Sequence, residues 1–166
     1  LALNYLKSKF SVSVIGVISP GVDYAIQATN NGNIGVLGTQ ATINSDAYGK
    51  QLRSIQSDFT VISQACPLFV PLVEEGWVEG DVPLAIAKSY LQSLKKSIVD
   101  TVILGCTHYP LLEGIIRDVL GADINLVDSG EATADVVKSI IVKNNYASDN
   151  QHGGTHCFVT DAPDSF

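Results

Sequence analysis

The sequence predicts an α/β protein, with parallel sheets flanked by helices, from three observations. Short β-branched runs alternate with amphipathic helical segments, the rhythm of a parallel sheet with helices on its faces. The runs do not alternate cleanly between apolar and polar residues, as expected where helices cover both sides of a sheet. Four of the runs lead straight into a small or polar turn.

In chain order, the expected strands are 12–18, 33–37, 59–62, 101–104 and 124–127, all short and rich in Val and Ile. Helical segments fall between and after them. Leu84, Ala87, Leu91 and Leu94 share one face at helical spacing. Leu111, Leu112, Ile115, Ile116, Val119 and Leu120 form a second face, ended by Gly121 where a helix stop belongs. Ala132, Val136, Val137, Ile140 and Ile141 form a third. Residues 144–154 are polar and turn-rich and read as a loop.

The bulk properties bound the function. A length of 166 residues suits one ordinary domain with a real core. With 46% hydrophobic and 16% charged residues, the chain is globular rather than disordered. Net charge is -7, and ten Lys and Arg lie singly or in pairs, so no basic stripe exists to neutralise a run of phosphates. Nucleic acid is therefore not expected as a partner. Apolar runs are strand-length, too short to cross a bilayer, and no apolar stretch behind a basic start marks a secretory signal. Three cysteines at irregular spacing argue against a disulfide framework. A cytoplasmic protein is expected. The chain has no Met and opens inside an apparent helix, so both ends read as cuts in a longer protein.

The turns after the strands carry the chemistry: Ser19-Pro20-Gly21, Gly38-Thr39, Gly105-Cys106-Thr107-His108 and Asp128-Ser129-Gly130. In open α/β sheets, ligands bind at the carboxyl ends of the strands. Hydroxyls, a thiol and an imidazole gathered there would suit a small anionic ligand, since helix starts offer free N–H groups. Cys106 is the sharpest candidate. A free cysteine titrates near about 8.5, and a histidinium such as His108, two residues on, favours the thiolate. The bland alternative is a small buried residue beside a capped helix start. Cys66 precedes Pro67 in an apolar run and reads as packing, as does Cys157. His152 and His156 flank a Gly-Gly turn with no carboxylate or second Cys in reach, so no metal site is expected.

Five segments extend this reading. LGCTHYPLL around Cys106 closely resembles the second-cysteine motif of glutamate racemases. So do IGVISPG from Ile15, GTQAT from Gly38, CPLFVPLVEEG from Cys66 and LVDSG from Leu126, in that family's order and at about its spacing. The resemblance implies a two-lobed enzyme of the aspartate/glutamate racemase type, with residues 21–128 as one lobe carrying Cys106. Residues 1–20 and 129–166 would then be pieces of the other lobe, which is incomplete here.

It further implies interconversion of L- and D-glutamate, the source of D-glutamate for bacterial peptidoglycan, without pyridoxal phosphate or metal. A cysteine from each lobe faces the α-carbon, one removing a proton as the other delivers one. Carried over by position, Cys106 is one of these bases. His108 assists it and contacts substrate, as does Thr107. Thr39 and Thr42 match hydroxyls near the substrate carboxylate, although helix capping and packing would equally explain them. Glu74 matches a carboxylate supporting the Cys–His pair. Glu75 adjoins it, and a glutamate on a solvated helix is the competing reading. The family's first cysteine, in an ACNTA-like strand end, and its N-terminal aspartate-serine pair have no counterpart here. Glutamate is the expected partner, with a homodimer allowed. Rival readings are a superfamily racemase or isomerase acting on aspartate or a hydantoin, a non-catalytic lobe that binds an acidic metabolite, and a thiol hydrolase, for which the sequence offers no third orienting group.

Overall fold

Four strands carry the fold: β1 (Asn33–Gly38), β2 (Thr60–Ala65), β3 (Thr101–Leu104) and β4 (Asn125–Asp128). In the computed structural model, which describes residues 2–148 with Gly153, Gly154, His156 and Phe158, they form one parallel sheet in the order β2-β1-β3-β4. Ile34 pairs with Thr101 and Val61, and Val102 with Leu126, so the register runs unbroken across the sheet. The β3 residues TVIL are all buried, as a central strand covered on both faces requires.

Successive strand side chains point to opposite faces. Leu37, Val102 and Leu104 join a core with α5 (Phe69–Glu74), α6 (Asp81–Lys95) and α7 (Glu113–Leu120). Ile34, Val36, Ile103 and Val127 face a second core with α2 (Ile18–Ala28) and α4 (Ala47–Ile55). Ala87, Leu91 and Leu94 of α6 are buried at the spacing the sequence announces, while Leu84 is partly buried. Burying each such leucine contributes about 1.5–3 kcal/mol relative to leaving it in water. The second expected face is split. Tyr109–Leu112 form a 3-10 turn before α7, with Leu111 exposed and Leu112 buried. Gly121 ends α7 at φ 113, in the region that favours glycine. In α8 (Ser129–Lys143) only Ala132 of the third face is fully buried, and α8 lies against α2.

One expected strand is absent. Residues 11–17 form no strand, and Ile18–Ala28 is helical, so Ser19-Pro20-Gly21 is the first turn of α2 rather than a strand-end turn. Pro20 is tolerated there because N–H groups of a first helical turn have no partner within the helix. The run 12–18 is β-branched, but no described strand pairs with it, and Val12 and Val17 are exposed. Composition cannot supply a missing ladder. The other strands shift by up to three residues, the largest change being β2, which runs to Ala65. The helix α1 (Ala2–Lys9) is the one in which the chain opens, and α2, α3 (Gln40–Ser45), α4 and α5 are additional to the three expected faces.

This topology fixes where a ligand can sit. From β1 the chain moves to β2 on one side, then returns to β3 on the other. The crevice between the carboxyl ends of β1 and β3 is therefore the switch point of the sheet. Gly38-Thr39 and Gly105-Cys106 both emerge there.

Candidate active site

Cys106 is held by its neighbours' backbone. The Gly105 N–H donates to the Leu37 carbonyl at 2.8 Å, continuing the ladder one residue past β3. A Cβ on Gly105 would lie 2.9 Å from that carbonyl oxygen and 3.0 Å from the Tyr48 ring, so this position has room only for glycine. The chain then turns through Cys106, Thr107 and His108, closed by a 3.1 Å bond from the Tyr109 N–H to the Cys106 carbonyl. The α-helix proper begins only at Glu113, and a helix dipole acts within its own first turn. The polar contact of the Cys106 thiol is thus with an imidazole rather than with a helix terminus.

That imidazole belongs to His108, whose Nδ1 lies 3.9 Å from the Cys106 Sγ. The Thr107 hydroxyl is 3.4 Å from the same nitrogen. On the far side of the ring, Nε2 lies 3.5 Å from Glu74 Oε1. Glu74 rather than Glu75 faces the ring, because neighbouring residues on a helix differ by about 100° in direction. The His108 and Glu74 side chains are 33% and 62% exposed, so water screens their pairing. A thiol, an imidazole and a carboxylate therefore form one chain of contacts, able to hold, pass and orient a proton at sulfur. In the same chain Glu74, which the resemblance names as a support for the Cys–His pair, would be the third group for a thiol nucleophile.

Thr39 and Thr42 sit at the end of β1. Thr39 caps α3, its hydroxyl accepting from the Thr42 N–H at 3.3 Å and lying 3.1 Å from the Thr42 hydroxyl. Their capping and packing roles are thus real, and the Thr42 methyl lies against Gly105. The cleft at Cys106, about 390 Å³, is lined by Cys106 and Thr107 together with Val17, Tyr48, Leu111 and Ser129. Thr39, Thr42, His108 and Glu74 border this arrangement without lining the cleft.

Tyr48 and Ser129 are additions that the sequence does not announce as a pair. Their hydroxyls meet at 3.0 Å in a buried contact joining α4 to the start of α8. Burial pushes the Tyr48 phenol above its ordinary value, the Ser129 hydrogen bond opposes this, and the charges of Asp128 and Cys106 add to it. Tyr48 is therefore a neutral phenol near pH 7. Its sole sequence signal is the i, i+4 spacing with Leu52, which any core helix shows. Asp128 caps α8 through a 2.7 Å bond from the Gly130 N–H.

Cys66 is fully buried in the core beside Phe69, and burial pushes its thiol up to about 12. It cannot act as a second base. Cys157 and His152 lie outside the described residues, and His156 is exposed. Among the described residues, no three His, Cys, Asp or Glu side chains converge as a metal site, and no helix is long and apolar enough to cross a membrane.

The chain is similar to known proteins in sequence and in fold. Residues 1–137 match the Asp/Glu/Hydantoin racemase family. A glutamate racemase of Geobacter metallireducens is 43% identical over 166 residues, covering 99% of this chain and 62% of the relative. The chain thus spans about 62% of the length of that relative. Glutamate racemase RacE1 of Bacillus anthracis superposes with TM-score 0.83 at 40% identity, over 89% of this chain and 56% of that one. The Francisella tularensis glutamate racemase, solved in complex with D-glutamate, gives TM-score 0.85 at 33% identity, over 94% of this chain and 57% of that one.

Proposed function

The chain belongs to the Asp/Glu/Hydantoin racemase family, and from that premise we propose that it supplies one catalytic face of a cofactor-independent glutamate racemase. The observation that carries this reading is Cys106 at the switch point of the sheet, backed by His108 and Glu74. Glutamate is the substrate favoured by likeness to glutamate racemases, one of which holds D-glutamate.

The Cys106 thiolate removes the α-proton: the C–H bond breaks, an S–H bond forms, and the electron pair stays on the α-carbon. A thiol on the opposite face then delivers its proton to that carbon, inverting configuration. Two groups of one kind suit a reaction run in both directions, because each must serve as base for one enantiomer and acid for the other. The carbanion is poor, so hydroxyls at the carboxylate share the work, and Thr107, Thr39 and Thr42 are the groups proposed for it. His108 holds or releases a proton beside the sulfur, and Glu74 orients the ring. The opposing thiol is not Cys66, and this reading assigns it to the part of the relatives' length that the chain does not span. The division into a lobe of residues 21–128 and pieces 1–20 and 129–166 belongs to the same proposal, as does a cytoplasmic setting in which Cys66 and Cys106 stay free.

The Cys106, His108 and Glu74 contacts also favour a second reading, a thiol hydrolase. The two differ in covalency, since a hydrolase forms an acyl-enzyme at Cys106 and a racemase forms none. The test compares racemisation of L- and D-glutamate by the full-length protein and its Cys106→Ser variant, with mass spectrometry for acylated Cys106. Racemisation lost in the variant without any acyl adduct supports the racemase. An acyl adduct with no racemisation supports the hydrolase.

A further inference from the structure

The turn that carries Cys106 and the helix that carries Glu74 are fastened together at a point that the proton transfers do not use. Tyr109, next to His108, is fully buried, and its hydroxyl donates to the Cys66 carbonyl at 2.8 Å. Burial pushes this phenol upward, with the Cys66, Cys106 and Tyr90 charges adding, so it remains a donor at working pH. The same carbonyl accepts the Phe69 N–H at 3.1 Å, and the Cys66 N–H donates to the Gly38 carbonyl at 3.0 Å. The Cys66 peptide is thereby tied to the end of β1, the start of α5 and the Cys106 turn at once.

The rings reinforce the tie. Tyr109 meets Phe69 edge to face, with centroids 5.2 Å apart at 82°. Phe69 opens α5 and Glu74 closes it, so the helix is a rigid arm of six residues between the tie and the carboxylate. An exposed glutamate pairs weakly when its backbone is free to wander, because ordering both side chains costs entropy. Here the contacts close a ring: His108 to Tyr109 along the chain, Tyr109 to Cys66 and Phe69, along α5 to Glu74, and back to His108.

We propose that Tyr109 is a positioning residue that holds Glu74 opposite His108, through the Cys66 carbonyl and the Phe69 ring. Its bearing on catalysis rests on the reading of His108 and Glu74 as partners of Cys106. If Tyr109 were only core filling, removing its hydroxyl would lower stability and leave the His108–Glu74 coupling intact.

The experiment is a cycle of NMR spectra at one fixed pH that follow the His108 ring resonances in the folded chain. The four proteins are the parent, Glu74→Gln, Tyr109→Phe and the double variant, each checked by thermal melt. Glu74→Gln removes the carboxylate beside His108 Nε2 and so moves the His108 ring resonances in the parent. In the Tyr109→Phe background the same change moves them by less than half as much. Tyr90→Phe is the control, since it keeps the ring against Phe69 and removes a hydroxyl that accepts from the Leu68 N–H at 3.3 Å instead of one that donates to the Cys66 carbonyl. Undiminished coupling in Tyr109→Phe, or an equal loss in Tyr90→Phe, overturns the role of Tyr109 alone. No shift on Glu74→Gln in the parent overturns it together with the role of Glu74. Should Tyr109→Phe not fold, Phe69→Leu removes the ring and keeps the hydroxyl. The same loss of coupling is expected there, and full coupling overturns the proposal.

Discussion

The Cys106 sulfur and His108 Nδ1 lie 3.9 Å apart across a turn of two residues, with Glu74 3.5 Å beyond the ring. At this spacing the imidazole lies at the edge of hydrogen-bonding reach of the sulfur, and Cys106 lines the cleft. His108→Ala in the full-length protein is expected to lower turnover roughly 10²-fold, the low end for a positioned acid–base group. It should also shift the pH–rate profile. The check is kcat against pH for both enantiomers, and an unchanged rate and profile would leave His108 only a structural part.

Cys106→Ser tests the thiol itself. A serine hydroxyl does not ionise near neutral pH, so racemisation should fall to background. Cys106 is half-buried at the cleft and the exchange conserves volume, so the melting temperature should stay within about 2 °C of the parent. Peptide mapping after mild alkylation should find Cys106 modified and Cys66 untouched, because Cys66 is fully buried. Activity within a few-fold of the parent, or labelling of Cys66 ahead of Cys106, contradicts the assignment.

Much of this was legible in the sequence where one physical cause acts alone. The central strands β1 and β3 are buried from both sides, and short Val- and Ile-rich runs mark them, and the half-buried edge strand β4, to within a residue or so. Residues 12–18 have the same composition and are no strand, because pairing depends on a neighbour that composition cannot name. Cys106 could be found because thiol, hydroxyl and imidazole adjoin in sequence. Glu74 could be singled out from Glu75 by family resemblance alone, since the rotation of α5 decides which of them faces His108. Tyr48 reaches the cleft only through the crossing of α4 over Gly105, which leaves no local mark.

A separate clamp governs stability in acid. Asp100 accepts from the Thr29 hydroxyl at 2.6 Å and from the N–H groups of Asn30 and Asn31 at 2.7 and 3.0 Å, tying the loop after α2 to the start of β3. Desolvation raises the Asp100 carboxyl, but hydrogen bonds from Thr29, Asn30, Thr101 and Asn31 outweigh it, and the net shift is below the ordinary 3.8. The contribution is complete above that ordinary value and is lost as pH falls through the depressed folded one. Asp100→Asn should lower the melting temperature at pH 7 by about 2–5 °C, discounted for exposure to solvent. The gap between variant and parent should close as acid protonates Asp100 in the parent. Melts from neutral pH into acid check this, and a gap independent of pH would remove the clamp.

Residues 1–166 by themselves should not racemise glutamate. Inversion needs groups on opposite faces of the α-carbon, and among the described residues Cys106 is the one cysteine at the cleft. Circular dichroism of L- and of D-glutamate, followed over time with the purified chain, should stay flat. Sustained racemisation would mean that a residue of this chain supplies the second base.

The most direct measurement is the fate of the α-hydrogen. The full-length protein is run in heavy water with each enantiomer, without added pyridoxal phosphate and with chelator present, and product is read by NMR and mass spectrometry. If opposed thiols carry the proton, product of inverted configuration gains one deuterium at the α-carbon in both directions, and Cys106→Ser loses this exchange. Inverted product that keeps its original hydrogen, or activity that disappears with chelation, would contradict proton transfer at Cys106.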